Sequence, residues 1–243
     1  MKELINKLKK EFITCFIEKD RYKYITNGLL NTIKIAFVAV IIGIVIGSVV
    51  AVIRTAHDKG INDMKKGIGK TLLKIANKIC SLYITVIRGT PVMIQIMIMF
   101  FIIFSNTRDG MPVAMLTFGI NSGAYVAEII RGGILSVDIG QEEAGRSLGL
   151  NYISTMWYII IPQAIKNVLP ALANEFIALL KETSVSCYVA VNDLTKGGEI
   201  IRSITYVQTM PLLVVALLYL LMVVGLSKLV SILERRLSVS EKH

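Results

Sequence analysis

Five polar or ionisable side chains stand inside stretches that are otherwise apolar enough for lipid: Gln95, Asn121, Tyr125, Glu128 and Glu175. Groups of this kind are costly in a bilayer and turn toward a bundle interior or a water-filled cavity. Asn121, Tyr125 and Glu128 recur at i, i+4 and i+7, which places them on one helix face. Glu175 and Glu182 share a face seven residues apart, and Asn174 with Lys181 forms a neighbouring stripe. Gln95 falls a turn past a Gly-Thr-Pro break, near the middle of its apolar run. Carboxylates placed so suit an α-amino group or a cationic side chain, while amides and a tyrosine hydroxyl suit the orientation of a zwitterion. Acidic groups so placed favour a cationic ligand over an anionic one. Structural pairing accounts for the same residues: Glu128 and Arg131 are three apart, and Lys181 and Glu182 can pair or snorkel.

A second constellation lies between apolar runs. Glu142-Glu143-Ala144-Gly145-Arg146-Ser147-Leu148-Gly149 is followed, ten residues later, by Ile159-Ile160-Ile161-Pro162. Asp138 predicts a helix N-cap, with Gln141 completing a capping-box pattern. Glu142 and Glu143 then occupy the first turn, where the helix dipole favours carboxylates. Gly149 suits a left-handed helix end, and a second short helix over 154–160 leads to Pro162. Two short helices hinged at Gly149 make a rigid knob that fits a groove on a partner. An ordinary interfacial loop has the same composition.

The elements that carry these residues follow from hydropathy. Of 243 residues 54% are hydrophobic and 18% charged, with a mean hydropathy of +0.64, too apolar for an ordinary soluble domain. A spanning helix needs about 20 largely apolar residues, and lipid forces backbone groups to pair within the segment. The predicted class is all-α and polytopic, one transmembrane domain over 1–243. Spans are read over about 28–54, 72–104, 111–135, 166–189 and 210–233. The second is longer than a bilayer needs and bends at Gly89–Pro91. Residues 1–24 form a basic amphipathic segment suited to the membrane interface. Gly43 and Gly47 make a GxxxG that either admits a neighbouring helix or fills a crowded bundle.

Several function classes have little material here. The net charge of +10 sits in tails and loops, where anionic lipid and cytoplasmic retention account for it, so no nucleic acid is expected. Cys15, Cys80 and Cys187 lack CxxC spacing, and His57 and His243 are the only histidines, so neither a metal site nor a resident cofactor is expected. Gly67-Ile68-Gly69-Lys70-Thr71 resembles the end of a phosphate-binding loop, but Met64 stands where its leading glycine belongs. No Ser/His pair or HExxH serves an intramembrane enzyme, and no catalytic residue is expected. A secondary carrier would show an inverted repeat, and the halves show no convincing duplication. Charge counting leaves five and six spans open, because each places one basic cluster outside.

The polar loop resembles the EAA loop of permease subunits of ATP-driven (ABC) importers. Glu143, Ala144, Gly149, Ile159 and Pro162 fall at that pattern's spacings, with Gly145 replacing its second Ala and Ile161 its Leu. Arg88-Gly89-Thr90-Pro91, the run Ala124–Ile134, Pro162-Gln163-Ala164, Leu169-Pro170-Ala171-Leu172, Asn174-Glu175-Phe176 and Lys181-Glu182-Thr183-Ser184 are similar to the histidine, glutamine and arginine permease family, over roughly residues 25–237. The resemblance implies a type I importer permease fold with five spans in a bacterial cytoplasmic membrane. Loop 136–165 and the C-terminus would face the cytoplasm, and the N-terminus the outside. Glu142, Glu143, Ala144, Gly145 and Gly149 become ATPase-coupling positions. Implied partners are two ATP-binding ABC subunits, which would hold the ATP–Mg, a second permease (identical or different), an extracytoplasmic amino-acid-binding protein, the amino acid and membrane lipid. The resemblance implies import by alternating access, and the alternative is an ATP-independent secondary amino acid transporter.

Overall fold

The computed structural model describes residues 2–61 and 67–239, and every regular element among them is helical. Met64, Lys65 and Lys66 of the basic loop, and His243, lie outside the described residues. In chain order the helices are α1 (Lys2–Phe12), α2 (Tyr22–Gly60), α3 (Ile68–Gly89), α4 (Val92–Ile98), α5 (Gly110–Leu135), α6 (Ile139–Ser147), α7 (Tyr152–Thr155), α8 (Ile161–Glu182), α9 (Leu194–Thr205) and α10 (Thr209–Val239). Single π-helical turns follow α1 (Ile13–Ile17), α4 (Met99–Ile103) and α7 (Met156–Ile160).

Helix bounds track apolar runs where a breaker coincides with a change in polarity, and overrun them elsewhere. α5 begins one residue before the expected span and ends with it. α2 runs for 39 residues, about 58 Å at 1.5 Å per residue. Nothing in Thr55-Ala56-His57-Asp58-Lys59 breaks a helix, so backbone pairing continues beyond the apolar stretch to Gly60. The second span differs most from expectation. Its two parts, Ile68–Gly89 and Val92–Ile103, meet at a bend of 106°, sharper than a tilted but continuous span allows. Thr90 is extended there (φ −122, ψ 143), as the residue before a proline prefers, and Pro91 brings no N–H to rejoin the helix.

Among the described residues three helices are long and apolar enough to cross a membrane as they stand, Tyr22–Gly60, Gly110–Leu135 and Thr209–Leu237, and the bent pair makes a fourth if it counts as one span. α8 has the length, 22 residues, but carries Lys166, Glu175, Lys181 and Glu182. It can cross only with those groups turned to protein or water. The expected 166–189 segment also shifts. The helix is already formed at Ile161 and ends at Glu182, where a 3-10 segment, Thr183–Tyr188, takes over. Pro162 does not stop it. The π turn immediately before lets Ile161 bond back to Met156, and Pro162 then enters the first turn of α8, where its missing N–H costs least.

The chain clusters into two compact units, one of residues 1–39, 92–118 and 177–228, the other of 40–91, 119–176 and 229–243. In the first, Cys15 and Phe16 of the N-terminal segment pack with Ile25, Leu194, Ile201 and Val215. Buried Asp193 caps α9, accepting from the backbone N–H groups of Lys196 at 2.9 Å and Thr195 at 3.3 Å. In the second, α2 and α5 meet through small residues. A Cβ on Gly43 would lie 2.8 Å from Ser122 Oγ, and one on Gly47 2.6 Å from Val126 Cγ1. On the facing helix, Gly119 and Gly123 press against Ile42 and Ile46. The GxxxG is therefore a helix-approach site, the arrangement small residues permit in lipid, where packing rather than hydrophobic exclusion drives association. Gly47→Leu is expected to lower the thermal unfolding midpoint of the detergent-purified protein by several degrees, since overpacking costs about 1–3 kcal/mol or more. Gly60→Ala, with nothing within 4 Å, should not lower it.

Candidate functional site

The 136–165 segment is built from local signals. Asp138 caps α6, its Oδ1 accepting from Gly140 N at 2.6 Å. Gln141 does not close the box back onto the cap. Its Oε1 accepts instead from Gln163 Nε2 on α8 at 3.2 Å, a pairing across 22 residues that spacing does not reveal. Asn167 Nδ2, also on α8, donates to Ser136 Oγ at 2.9 Å, so α8 is tied twice to the start of the loop.

Gly149 has φ +77, the left-handed conformation that favours glycine. Leu150 N donates to Gly145 O at 3.1 Å and Gly149 N to Arg146 O at 2.9 Å, the paired bonds of a Schellman helix stop. Two residues later Asn151 caps α7, accepting from Ser154 N at 2.8 Å. The second loop helix thus starts at Tyr152, not 154, and continues through its π turn into α8. Gly145 is buried against this second arm, where a Cβ would stand 2.7 Å from Thr155 Cγ2 and 3.2 Å from Ile159 Cδ1. That contact accounts for glycine in place of the pattern's second alanine.

The coupling candidates divide by direction. Glu142 and Gly145 turn inward, whereas Glu143 and Ala144 are exposed. Glu142 accepts from Lys59 Nζ at 2.8 Å and from Arg146 at 2.9 Å. Lys59, near the C-terminal end of α2, anchors α6, a role spacing alone does not expose. Ile139, Leu148 and Ile153 are each about three-quarters exposed. Sequence reading assigned no role to these three, although isolated apolar residues in a polar loop are the signal. The loop therefore presents Glu143, Ala144 and three apolar side chains on a backbone held by two caps, a helix stop and an ion pair.

The hydrogen bond from Lys59 holds the Glu142 carboxyl below its ordinary value near 4.5; burial opposes this, and the charges of Lys59 and Arg146 add to it. A carboxyl depressed in the folded state stabilises above its unfolded value, and that contribution is lost as pH falls through the folded one. Backbone hydrogen exchange of α6 should accelerate as pH falls below about 4.5 relative to α5, after correction for intrinsic rates. Glu142→Gln should already exchange quickly at pH 7 and lose that dependence.

The intramembrane residues fall into distinct settings. Asn121 is buried on α5. Glu175 accepts from Ser122 Oγ at 2.8 Å, joining α8 to α5. Gln95, on α4, belongs to the first unit, and the other four pathway candidates belong to the second. Glu128 is the centre of an ionic cluster drawn from three helices. Arg54 of α2 donates to its Oε1 at 2.8 Å, while Arg131 and Arg88 stand 3.5 and 4.0 Å from Oε2. Asp58 takes Arg131 at 3.6 Å, and the Arg88 guanidinium sits 5.2 Å over the Tyr125 ring. Three guanidiniums thus face two carboxylates. The Arg131 pairing was readable from spacing; Arg54 and Arg88 required the fold. Buried Nε atoms of Arg54 and Arg131 have no partner among the described residues, so the cluster keeps donor capacity in reserve.

Comparisons with known proteins agree over most of the chain. Residues 69–239 match the family described as binding-protein-dependent transport system inner membrane component. A putative glutamine transport system permease protein GlnP of Rickettsia bellii is 34% identical over 220 residues, covering 89% of this chain and 94% of the relative. The glutamine transport system permease protein GlnP of Escherichia coli is 39% identical over 169 residues, covering 68% and 77%. Among solved structures, an amino acid ABC transporter crystallised with histidines shares 40% identity at a TM-score of 0.79, covering 91% of this chain and 98% of that one. The inward-facing MetNI methionine ABC transporter, at 20% identity, shares the fold with a TM-score of 0.74 over 90% and 99%.

Proposed function

The chain belongs to the binding-protein-dependent transport system inner membrane component family, and from that premise we propose that it is the permease subunit of an ATP-driven importer for a polar amino acid. It acts as one permease domain in a bacterial cytoplasmic membrane, crossing it five times with α2, the α3–α4 bent pair, α5, α8 and α10. The loop and C-terminus face the cytoplasm, and the N-terminus the outside. Two such chains, or this chain and a related one, pair. An extracytoplasmic binding protein delivers the substrate, and two separate ATPase subunits bind ATP–Mg and drive alternating access.

The observation that carries this reading is the 136–165 loop. Its backbone is fixed at both ends, Glu142 and Gly145 are spent on internal contacts, and Glu143, Ala144 and Leu148 are left outward. A rigid surface of this kind transmits a partner's movement into α8 without losing it in the loop. The substrate proposed first is glutamine, which the relatives' names support, with histidine next, as in the solved neighbour. Glu128 gives no preference for a cationic substrate, because Arg54 and Arg131 already neutralise it.

The test is ATP-driven accumulation in proteoliposomes containing this chain, its ATPase and its binding protein, offered labelled glutamine, histidine, arginine, lysine and glutamate. Uptake that requires all three components is expected. Flux through this chain alone, without ATP, would replace the proposal with a secondary carrier.

A further inference from the structure

A cleft of about 400 Å³ opens in the first unit, lined by the start of α2 and by residues of α9 and the segment before it. Its floor is backbone. A Cβ on Gly28 would lie 2.5 Å from Asp193 O, and one on Gly197 2.5 Å from Tyr24 O, so only glycines allow this approach. Its rim carries Tyr24, Asn27, Asn31 and Lys34, spaced three, four and three residues apart along one helix face. Asn31 Nδ2 donates to Asn192 O at 2.9 Å. The side chains of Tyr24, Asn27 and Lys34 make no hydrogen bond or ion pair among the described residues. The nearby acid, Asp193, is buried and accepts from the backbone N–H groups of α9.

Lys34 stands about three turns inside α2, between Leu30 and Phe37. Those two apolar side chains are about half exposed along the adjacent edge. A lone ammonium beside a lipid-facing stripe is costly unless it reaches water or an anion. Snorkelling alone accommodates the charge. It does not account for an amide and a phenol converging without partners on the same cleft.

We propose that this cleft binds a phosphate anion through Lys34, Asn27 and Tyr24, and that the phosphate is the headgroup of an anionic phospholipid. Lysine serves phosphate as a compact charge and the neutral donors fix its oxygens. The volume holds a headgroup, and Leu30 and Phe37 offer the acyl chains a contact line.

Native mass spectrometry of the delipidated protein, titrated with phosphatidylglycerol, phosphatidylcholine or inorganic phosphate, separates the possibilities. Wild type is expected to retain phosphatidylglycerol preferentially, Lys34→Ala to bind it roughly tenfold more weakly, and Lys34→Arg to retain most of the affinity. Lys74→Ala, an exposed lysine on α3, should bind as wild type. Should Lys34→Ala fail to insert, Asn27→Leu is expected to weaken retention several-fold through the lost donor. Phosphate binding that depends on Lys34, without preference for phosphatidylglycerol, would leave an anion site and overturn its lipid source. Equal retention of phosphatidylglycerol by wild type and both variants would overturn the proposal.

Discussion

Gly149→Val is expected to reduce ATP-driven uptake by more than about tenfold while ATP hydrolysis by the assembled complex continues. The backbone at Gly149 has φ +77 with nothing within 4 Å of a built Cβ, so the penalty is conformational rather than steric crowding from neighbours. A β-branched residue held there stores about 1–3 kcal/mol. The turn relieves that strain by leaving the left-handed region, which breaks the Leu150–Gly145 and Gly149–Arg146 bonds that stop α6. Gly145 is also the residue seated on Thr155 and Ile159, so the orientation of α6 relative to α7 is lost with the stop. α7 runs through its π turn into α8, so under the proposed coupling role this junction is where loop movement reaches α8. A graded series separates conformation from side-chain bulk. Asn tolerates left-handed backbone and should keep most uptake, Ala should be intermediate, and Val lowest. The measurement is the ratio of amino acid transported to ATP hydrolysed in proteoliposomes of equal protein content. Equal ratios for Asn and Val would show that the turn's handedness does not matter to coupling.

The features of this loop that were legible in the sequence are those set within a few residues. Asp138 as a cap and Gly149 as a left-handed stop depend on backbone groups two to four positions away, and chain order fixes those partners. Gln141 fails the same logic because a competing partner, Gln163, arrives from another helix. The helix runs on through Pro162 for a related reason. A proline ends a helix only where its missing donor and ring obstruct the preceding turn, and here a π turn has already changed the bonding pattern. The spans show the same division. α5 is bounded closely because Gly110 and the Ser136–Asp138 segment coincide with its change in polarity, whereas α2 overruns because polarity changes before any helix breaker appears. The sharp turn at Thr90–Pro91 was foreseeable as a bend but not in size, since a sequence marks the break without stating how far the chain rotates there. Glu128 is the clearest limit. One partner, Arg131, lies within helical reach, while Arg54 and Arg88 are 74 and 40 residues away in the chain; Arg54 meets it where small residues bring α2 and α5 together, and Arg88 arrives from α3.

That cluster carries the second large effect. Glu128→Gln is expected to destabilise the protein by about 3 kcal/mol, the lower end for breaking a buried ion pair, because Arg54 and Glu128 retain 20% and 26% side-chain exposure. The substitution leaves Arg54, Arg88 and Arg131 facing Asp58 alone, raising the cluster's formal charge from +1 to +2 in a region only partly open to solvent. For a chain of this length the unfolding midpoint should fall by roughly 6–12 °C. Arg54→Gln combined with Glu128→Gln returns the formal charge to +1, so the double variant should recover part of the loss, and the cycle should report a favourable coupling of about 1–3 kcal/mol. Arg88→Ala should cost less than either, since Arg88 stands 4.0 Å away and is 44% exposed. The same variants decide whether Glu128 is more than a structural counter-ion. A double variant that regains stability and transports with an unchanged KM assigns Glu128 to holding α2, α3 and α5 together. A raised KM at restored stability assigns it to the substrate path as well, with Tyr125 and Arg88 as its neighbours there. Additive losses in the two single variants, with no coupling, would mean that the 2.8 Å contact contributes nothing to the fold.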